Sequence, residues 1–324
     1  MGFLVDGVWQ QDGPRTTNGH FIRPPARFRN WVTPDGSPGP SGEGGFAAQA
    51  GRYHLYVSLA CPWAHRTIIF RKLKKLDDII SMSIVSPDML EDGWTFNIAE
   101  GSTGDSANGK SKLSEIYLLA DPKYTGRVSV PVLWDKERKT IVNNESSEII
   151  RMFNSAFDAF TDVRTDYYPP ELRAEIDRIN NFIYANINNG VYRAGFATTQ
   201  AAYEEAFRNL FDALDELEQI LSRQRYLVAR SITEADWRLF PTLVRFDTVY
   251  YSHFKCNWRH IYEYPNLSHY LRDLYQQPGV AETVNLAHIK RHYYGSQRHV
   301  NPTGIVPVGP QIDFSAPHDR ERFG

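Results

Sequence analysis

Near residue 168 the hydrophobic pattern changes period, and this restricts the fold more than any other feature. Upstream, Arg52-Tyr53-His54-Leu55-Tyr56-Val57-Ser58 reads as a strand. Residues 62–75 then read as a helix, and Ile79-Ile80-Ser81-Met82-Ser83-Ile84-Val85 as a second strand. A strand–helix–strand order points to a parallel pair with a crossover helix. Two short strands follow, over 130–134 and 140–142, with Asp135-Lys136-Glu137-Arg138 as their turn, and a helix begins near Ser146. Downstream, Leu172, Ile176, Ile179, Ile183 and Ile187 recur at helical spacing, as do Phe207, Leu210, Phe211, Leu214, Leu217 and Leu221. The chain therefore reads as an α/β domain followed by an all-α domain, and its 324 residues suit two domains.

The boundaries expected from this pattern are an extension over 1–50, an α/β domain over 51–160 and a helical domain with a C-terminal tail over 161–324. The extension is rich in Gly, Pro and Arg, with Thr33-Pro34-Asp35-Gly36-Ser37-Pro38-Gly39-Pro40 as turns or coil. Within it, Phe21, Phe28 and Trp31 suggest packing on the body. Residues 86–127 form a long irregular insertion, and a loop of that length in a compact domain is usually functional or mobile. In the helical part, Thr233-Glu234-Ala235-Asp236 is a capping box, a stabilising device with no chemistry of its own. Tyr264-Pro265-Asn266-Leu267 opens a later helix.

Composition closes off several functions. A formal net charge of -2 argues against a nucleic-acid surface. No apolar run approaches membrane-spanning length. The start lacks a basic segment followed by an apolar one, so it is not a signal peptide. Asp6 stands where myristoylation needs Ser or Thr. Two cysteines cannot build a disulfide framework, so a reducing, cytoplasmic setting is expected.

One of those cysteines opens Cys61-Pro62-Trp63-Ala64-His65-Arg66, where the first strand hands over to the first helix. Proline suits the first helical position because its missing N–H would have had no partner. Cys61 then falls at or near the N-cap, where unpaired N–H groups and the positive end of the helix dipole favour thiolate over thiol. His65 and Arg66 bring further positive charge to the same turn. Ala64 replaces the second cysteine of a Cys-x-x-Cys pair. The site should therefore form a mixed disulfide with another molecule and need an outside thiol to resolve it. A buried structural cysteine is the alternative. No motif surrounds Cys256, and it is assigned no role.

Two further segments bear on chemistry. Val130-Pro131 begins a strand after the insertion; residues alone leave a plain strand-edge proline open. Glu145-Ser146 follows the last strand. Ser146 at a helix N-terminus suits a carboxylate, and Glu145 suits an ammonium, although Glu-Ser is often only a cap.

Together these runs resemble the glutathionyl-hydroquinone reductases, the xi-class relatives of omega and lambda glutathione transferases. The resemblance covers about residues 25–310. It is carried by the Cys61 run and by Ser129-Val130-Pro131-Val132-Leu133-Trp134-Asp135. Asn144-Glu145-Ser146-Ser147-Glu148-Ile149 and Asn189-Gly190-Val191-Tyr192-Arg193-Ala194-Gly195-Phe196-Ala197 match as well. It implies a glutathione transferase fold: a thioredoxin-like N-terminal domain, with a cis proline at Pro131, plus an all-α C-terminal domain. It also implies glutathione as co-substrate without a metal, and glutathionyl-quinols as the other small-molecule partner. No nucleic-acid or membrane partner is expected, and the resemblance implies a homodimer. By the same resemblance Cys61 is the nucleophile. Trp94, Arg127, Val130, Pro131, Glu145 and Ser146 hold glutathione. Tyr192, Tyr250 and Tyr293 meet the quinol over Cys61, with Tyr192 and Tyr293 also catalytic. An omega-like thiol transferase or dehydroascorbate reductase would use the same cysteine on other substrates. A conjugating transferase fits less well, because Cys61 would tend to form a mixed disulfide. A non-catalytic binding module on this fold would not need the Cys-Pro turn.

Overall fold

The structure is a computed structural model describing residues 2–11 and 16–324. Met1 and residues 12–15 of the expected extension lie outside the described residues. The chain divides into two compact units. The first comprises 24–165, 287–292 and the described residues before 12; the second comprises 16–23, 166–286 and 293–324.

The extension is more regular than its composition suggests. β1 (Gly2–Val5) and β2 (Val8–Gln11) form an antiparallel hairpin, and β3 (Thr16–Thr17) pairs with β4 (His20–Phe21) in another. Their turns are Asp6-Gly7 and Asn18-Gly19, with φ of 46° and 78° and of 50° and 84°. Those dipeptides are the strongest short-range hairpin signal, but strands this short show no periodicity to draw attention to them. Phe21 and Phe28 pack on the body as expected, whereas the Trp31 bond stays within the extension. Phe21 is buried, Phe28 stacks on Tyr124 with centroids 5.5 Å apart, and Trp31 Nε1–H donates to Ser41 Oγ at 2.9 Å.

In the first unit, β5 (Tyr53–Val57) leads into α1 (Pro62–Leu73), and β6 (Ser81–Ile84) pairs parallel with β5. The insertion is not wholly irregular. It contains α2 (Leu113–Ala120) and β7 (Gly126–Arg127), the latter pairing antiparallel with β1. β8 (Val132–Asp135) and β9 (Thr140–Asn143) complete a four-stranded sheet of order β6-β5-β8-β9, and α3 (Ser146–Ser155) follows. β8 starts two residues later than the apolar run suggests, since Pro131 has no N–H for a ladder. All of β5 is buried, and α1 packs beside α3. Arg52 closes the sheet end, with Nη2 2.5 Å from the fully buried Asp135 carboxylate.

The second unit is built on α4 (Arg173–Ile183), α5 (Gly190–Gly195), α6 (Gln200–Leu221), α7 (Glu234–Arg245), α8 (Tyr251–His253) and α9 (Pro265–Tyr275). α10 (Leu286–Lys290) carries the chain from the second unit into the first. The apolar repeat of 172–187 is not one helix. Leu172 sits in a 3₁₀ turn and Ile187 in a π-helical turn, Tyr184–Asn188. Two more π-helical turns, Phe246–Tyr250 and Arg291–Ser296, carry Tyr250 and Tyr293. Such turns add a residue without breaking the apolar pattern, which hides them from sequence, and they occur often at functional positions.

The capping box forms as read. Thr233 N–H donates to Asp236 Oδ2 at 2.8 Å, while Leu227 N–H and Tyr270 O–H donate to Oδ1 at 2.9 and 2.8 Å. The tail is ordered, with Arg320 fully buried and donating to the Leu221 carbonyl at 2.9 Å.

Candidate active site

Cys61 is the N-cap of α1, with extended backbone (φ −77°, ψ 123°) and Pro62 at the first helical position. The β5 strand and its turn fix it: Cys61 N–H donates to the Ser58 carbonyl at 3.2 Å, and His65 N–H to the Cys61 carbonyl at 3.0 Å. Its side chain is half-buried, whereas Cys256 is fully buried and its thiol is pushed up by that burial. The Cys61 thiol donates to the Val130 carbonyl at 3.6 Å. The Val130–Pro131 peptide is cis. The residue before the proline is thus brought against the cysteine from a position 69 residues away in sequence.

The segment before Pro131 is held from the insertion. Tyr117 of α2 donates to the Ser129 carbonyl at 2.7 Å and accepts from Ser129 N–H at 3.2 Å and from Asn144 Nδ2 at 3.1 Å. Asn143 then holds the next corner, its Oδ1 accepting from Glu145 N–H at 2.7 Å and its Nδ2 donating to Glu148 Oε2 at 2.7 Å. Glu145 is the N-cap of α3, accepting from Ser147 N–H at 3.0 Å and Ser147 Oγ at 2.9 Å, and Ser146 is the first, buried residue of the helix. Glu145 is therefore a true cap, and its carboxylate partly serves its own helix. Arg66 is buried rather than displayed in the first turn of α1. Its guanidinium lies 3.5 Å from Ser146 Oγ and 4.8 Å from the Trp63 ring centroid. His65 is fully buried. Trp94 is buried and stacks on His292, with centroids 4.8 Å apart and planes 21° apart. Arg127 lies in β7, opposite Phe3, and its carbonyl accepts from Tyr124 O–H at 3.1 Å.

In the second unit, three tyrosines from separate elements meet at their hydroxyls. Tyr293 is central: its oxygen is 2.5 Å from that of Tyr192 and 3.0 Å from that of Tyr250. The three hydroxyls share these two O···O contacts, in each of which either oxygen can be the donor. Burial, with the charge of Tyr192 as the next cause, pushes Tyr250 and Tyr293 well above the usual phenol range. These two are neutral donors at any working pH. Phe254 binds the cluster together, its ring centroid 5.4 Å from Tyr192, 5.5 Å from Tyr250 and 5.7 Å from Tyr293.

Sequence reasoning singled out neither His292 nor Phe254, nor Asn143 and Tyr117. His292 carried one signal, its place beside Tyr293; the others act through contacts between distant segments and had none. Among the described residues, no group of three or more His, Cys, Asp or Glu side chains is placed to hold a metal ion, and no helix is long and apolar enough to cross a membrane.

The chain matches two family models, the N-terminal domain of glutathione S-transferase over 60–156 and its C-terminal domain over 200–273. The first begins one residue before Cys61 and runs through α3, so it takes in the cysteine, the cis proline and Glu145-Ser146. The chain belongs to the glutathione transferase family. Within that family it groups with the xi class and the glutathionyl-hydroquinone reductases. The glutathionyl-hydroquinone reductase YqjG of Escherichia coli K12 is 57% identical over 328 aligned residues, covering 100% of both chains. The glutathionyl-hydroquinone reductase PcpF of Sphingobium chlorophenolicum is 54% identical, covering 96% of each. The glutathione-bound structure of YqjG matches with a TM-score of 0.92 at 56% identity, covering 99% of each chain. A xi-class transferase from Natrialba magadii matches with a TM-score of 0.91 at 50% identity, covering 100% of this chain and 97% of that one.

Proposed function

We propose that this protein is a glutathionyl-hydroquinone reductase, converting a hydroquinone that carries glutathione on a ring carbon into free hydroquinone at the expense of a second glutathione. The observation that carries the proposal is the half-buried Cys61 at the N-cap of α1, 3.6 Å from the carbonyl that precedes a cis proline. Its support is full-length similarity to enzymes named for that reaction.

Cys61 acts as a thiolate and attacks the glutathione sulfur. The new S–S bond forms as the S–C(aryl) bond breaks, and the electron pair of that bond leaves with the ring. An aryl carbon leaves poorly unless the ring oxygens are stabilised or the ring first takes a keto form. Phenols suit that task, by donating to a developing oxyanion or passing a proton. We assign it to Tyr192 and Tyr293, with Tyr250 completing the quinol site. The ring takes one proton and departs as hydroquinone, leaving Cys61 in a mixed disulfide with glutathione. A second glutathione, as thiolate, attacks that disulfide, releases oxidised glutathione and regenerates the Cys61 thiolate. The proton lost by this glutathione balances the one taken by the ring. Ala64 suits external resolution, since no second cysteine stands beside Cys61.

Glutathione itself is assigned to the first unit. The Val130 main chain binds it as an extended thiol peptide, with cis-Pro131 fixing the approach. Glu145 takes the ammonium and Ser146 the carboxylate of the γ-glutamyl end, with Arg66 beside Ser146 strengthening the carboxylate site. Trp94 lies along the tripeptide and Arg127 pairs with the glycyl carboxylate. No metal is needed. The protein acts as a homodimer in the cytoplasm, with domains over 51–160 and 161–324.

The test is anaerobic turnover of glutathionyl-hydroquinone with glutathione, comparing wild type and Cys61→Ala. The expected result is equal formation of hydroquinone and oxidised glutathione, lost in the variant. If wild type releases no hydroquinone although Cys61 carries glutathione by mass spectrometry, the thiol chemistry stands and the substrate assignment falls, in favour of omega-like reduction.

A further inference from the structure

The segment just before residue 24 places a cation on the tyrosine cluster. The Arg23 guanidinium carbon lies 4.8 Å from the ring centroid of Tyr192 and 5.4 Å from that of Phe21, so it sits against both rings. Its Nε–H donates to Asn189 Oδ1 at 2.9 Å, on the turn that leads into α5 and Tyr192. The segment that delivers Arg23 is itself well fixed. Phe21 is buried edge-on against Phe196 at 5.2 Å, and Thr198 N–H donates to the Gly19 carbonyl at 3.1 Å. Gly19 has φ +84°, and a Cβ there would fall 2.2 Å from Thr199 Oγ1, so the β3–β4 turn lies directly on the start of α6.

We infer that Arg23 is a positioning residue that strengthens proton donation by Tyr192, which makes this part of the extension a component of the quinol chemistry. The inference rests on the proposed role of the tyrosines. A cation over a phenol ring stabilises negative charge spreading into the ring as the O–H bond lengthens. Other charged or titratable groups of the second unit also lie near the cluster. Arg193, the next residue on α5, is paired with Glu205 at 2.7 Å. Arg245 is buried, and its charge acts on Tyr250 and Tyr293, lowering what burial raises. His253, packed beside Tyr293 and hydrogen-bonded to Gln297 at 3.0 Å, is held by burial down to about 4 and is neutral. Tyr250 and Tyr293 are themselves neutral phenols. Arg23 thus supplies positive charge directly against the Tyr192 end of the chain of three hydroxyls.

The experiment measures single-turnover release of hydroquinone from glutathionyl-hydroquinone across pH, for wild type, Arg23→Gln, Arg23→Lys and Tyr192→Phe. Formation of the Cys61–glutathione disulfide from oxidised glutathione, which involves no ring, is followed in parallel. The expected result for Arg23→Gln is a five- to thirtyfold slower release, the range of a partly to fully desolvated cation–π contact of about 1–2 kcal/mol. Its alkaline limb moves to higher pH, and Cys61 disulfide formation is unchanged. Arg23→Lys keeps the charge and recovers most of the rate. If Tyr192→Phe slows release but Arg23→Gln does not, the inference is overturned and the proposed function stands. If neither slows release, the tyrosine role fails and takes the inference with it. Equal loss of hydroquinone release and Cys61 disulfide formation in Arg23→Gln would make Arg23 merely structural and overturn the inference.

Discussion

Gly195→Ala tests whether the packing of Phe254 sets the geometry of the tyrosine cluster. Gly195 ends α5 with no left-handed backbone to explain it; it is glycine because Phe254 comes too close for anything larger. A Cβ there would lie 2.2 Å from Phe254 Cγ, 2.4 Å from Cδ1 and 2.7 Å from Cβ. Real contacts need more than 3 Å, so the Phe254 ring must move by about 1 Å or α5 must yield. Phe254 is fully buried and touches all three tyrosines and Phe196, so the strain has no solvent-facing outlet. Overpacking costs about 1–3 kcal/mol. Replacing Gly by Ala at a helix end returns at most about 1 kcal/mol. A net loss of about 2 kcal/mol corresponds to a Tm lower by about 4–8 °C for a unit of this size. Because Tyr293 bonds Tyr192 and Tyr250 at 2.5 and 3.0 Å, a displaced ring also separates hydroxyls. Turnover should fall about tenfold or more, with little change in KM for glutathione. Adding Phe254→Leu should restore part of both losses, because it removes the clashing ring edge; coupling of that sign is what a double-mutant cycle detects. Calorimetry and steady-state kinetics on the four proteins suffice. Wild-type Tm and turnover in the Gly195→Ala protein would refute the packing argument.

Three other outcomes are expected. Asp236→Ala leaves Thr233 N–H, Leu227 N–H and Tyr270 O–H without their acceptor inside a closed core, and should cost about 3–5 kcal/mol by chemical denaturation; a loss below about 1 kcal/mol would show that the box is an ordinary surface cap. Arg52→Met strands the fully buried Asp135 and should cost about 3–5 kcal/mol, whereas Arg52→Met with Asp135→Leu should recover much of it; no recovery in the pair would contradict the buried-charge explanation. His54 and His253 are held by burial down to about 4, below the unfolded value near 6.5. The unfolded chain therefore binds more protons between those values, so their contribution to stability is complete above about pH 6.5 and is lost as pH falls through about 4, by up to about 1.4 kcal/mol per pH unit for each group. NMR titration should find both rings neutral at about pH 5.5, and protonation above about pH 6 would exclude this source of acid sensitivity.

Much of the site was legible because its chemistry depends on local geometry. Cys61-Pro62 after a strand is enough to put a thiol at a helix N-cap, and Glu145-Ser146 after another strand is enough to make the next cap. The order of strands and helices followed from periodicity, since burial on one face repeats at the period of the element. The hairpins of the extension were written in Asp6-Gly7 and Asn18-Gly19, but strands of two to four residues give no alternation to confirm them. The π-helical turns were invisible because one extra residue per turn leaves a run that still reads as helix.

The element types, the division into a mixed and a helical part, and the place of Cys61 at a helix N-cap were all set by the sequence, because each of these is decided within a dozen neighbouring residues. Only the tertiary structure decided that Val130 lies against Cys61, that Arg66 turns toward Ser146, that Trp94 stacks on His292, and that Tyr192, Tyr250 and Tyr293 share a hydroxyl network under Arg23. Those pairings join residues far apart along the chain. Their partners are selected by which surfaces remain to be buried once the elements have formed, a condition on the whole core that no local stretch of chain encodes.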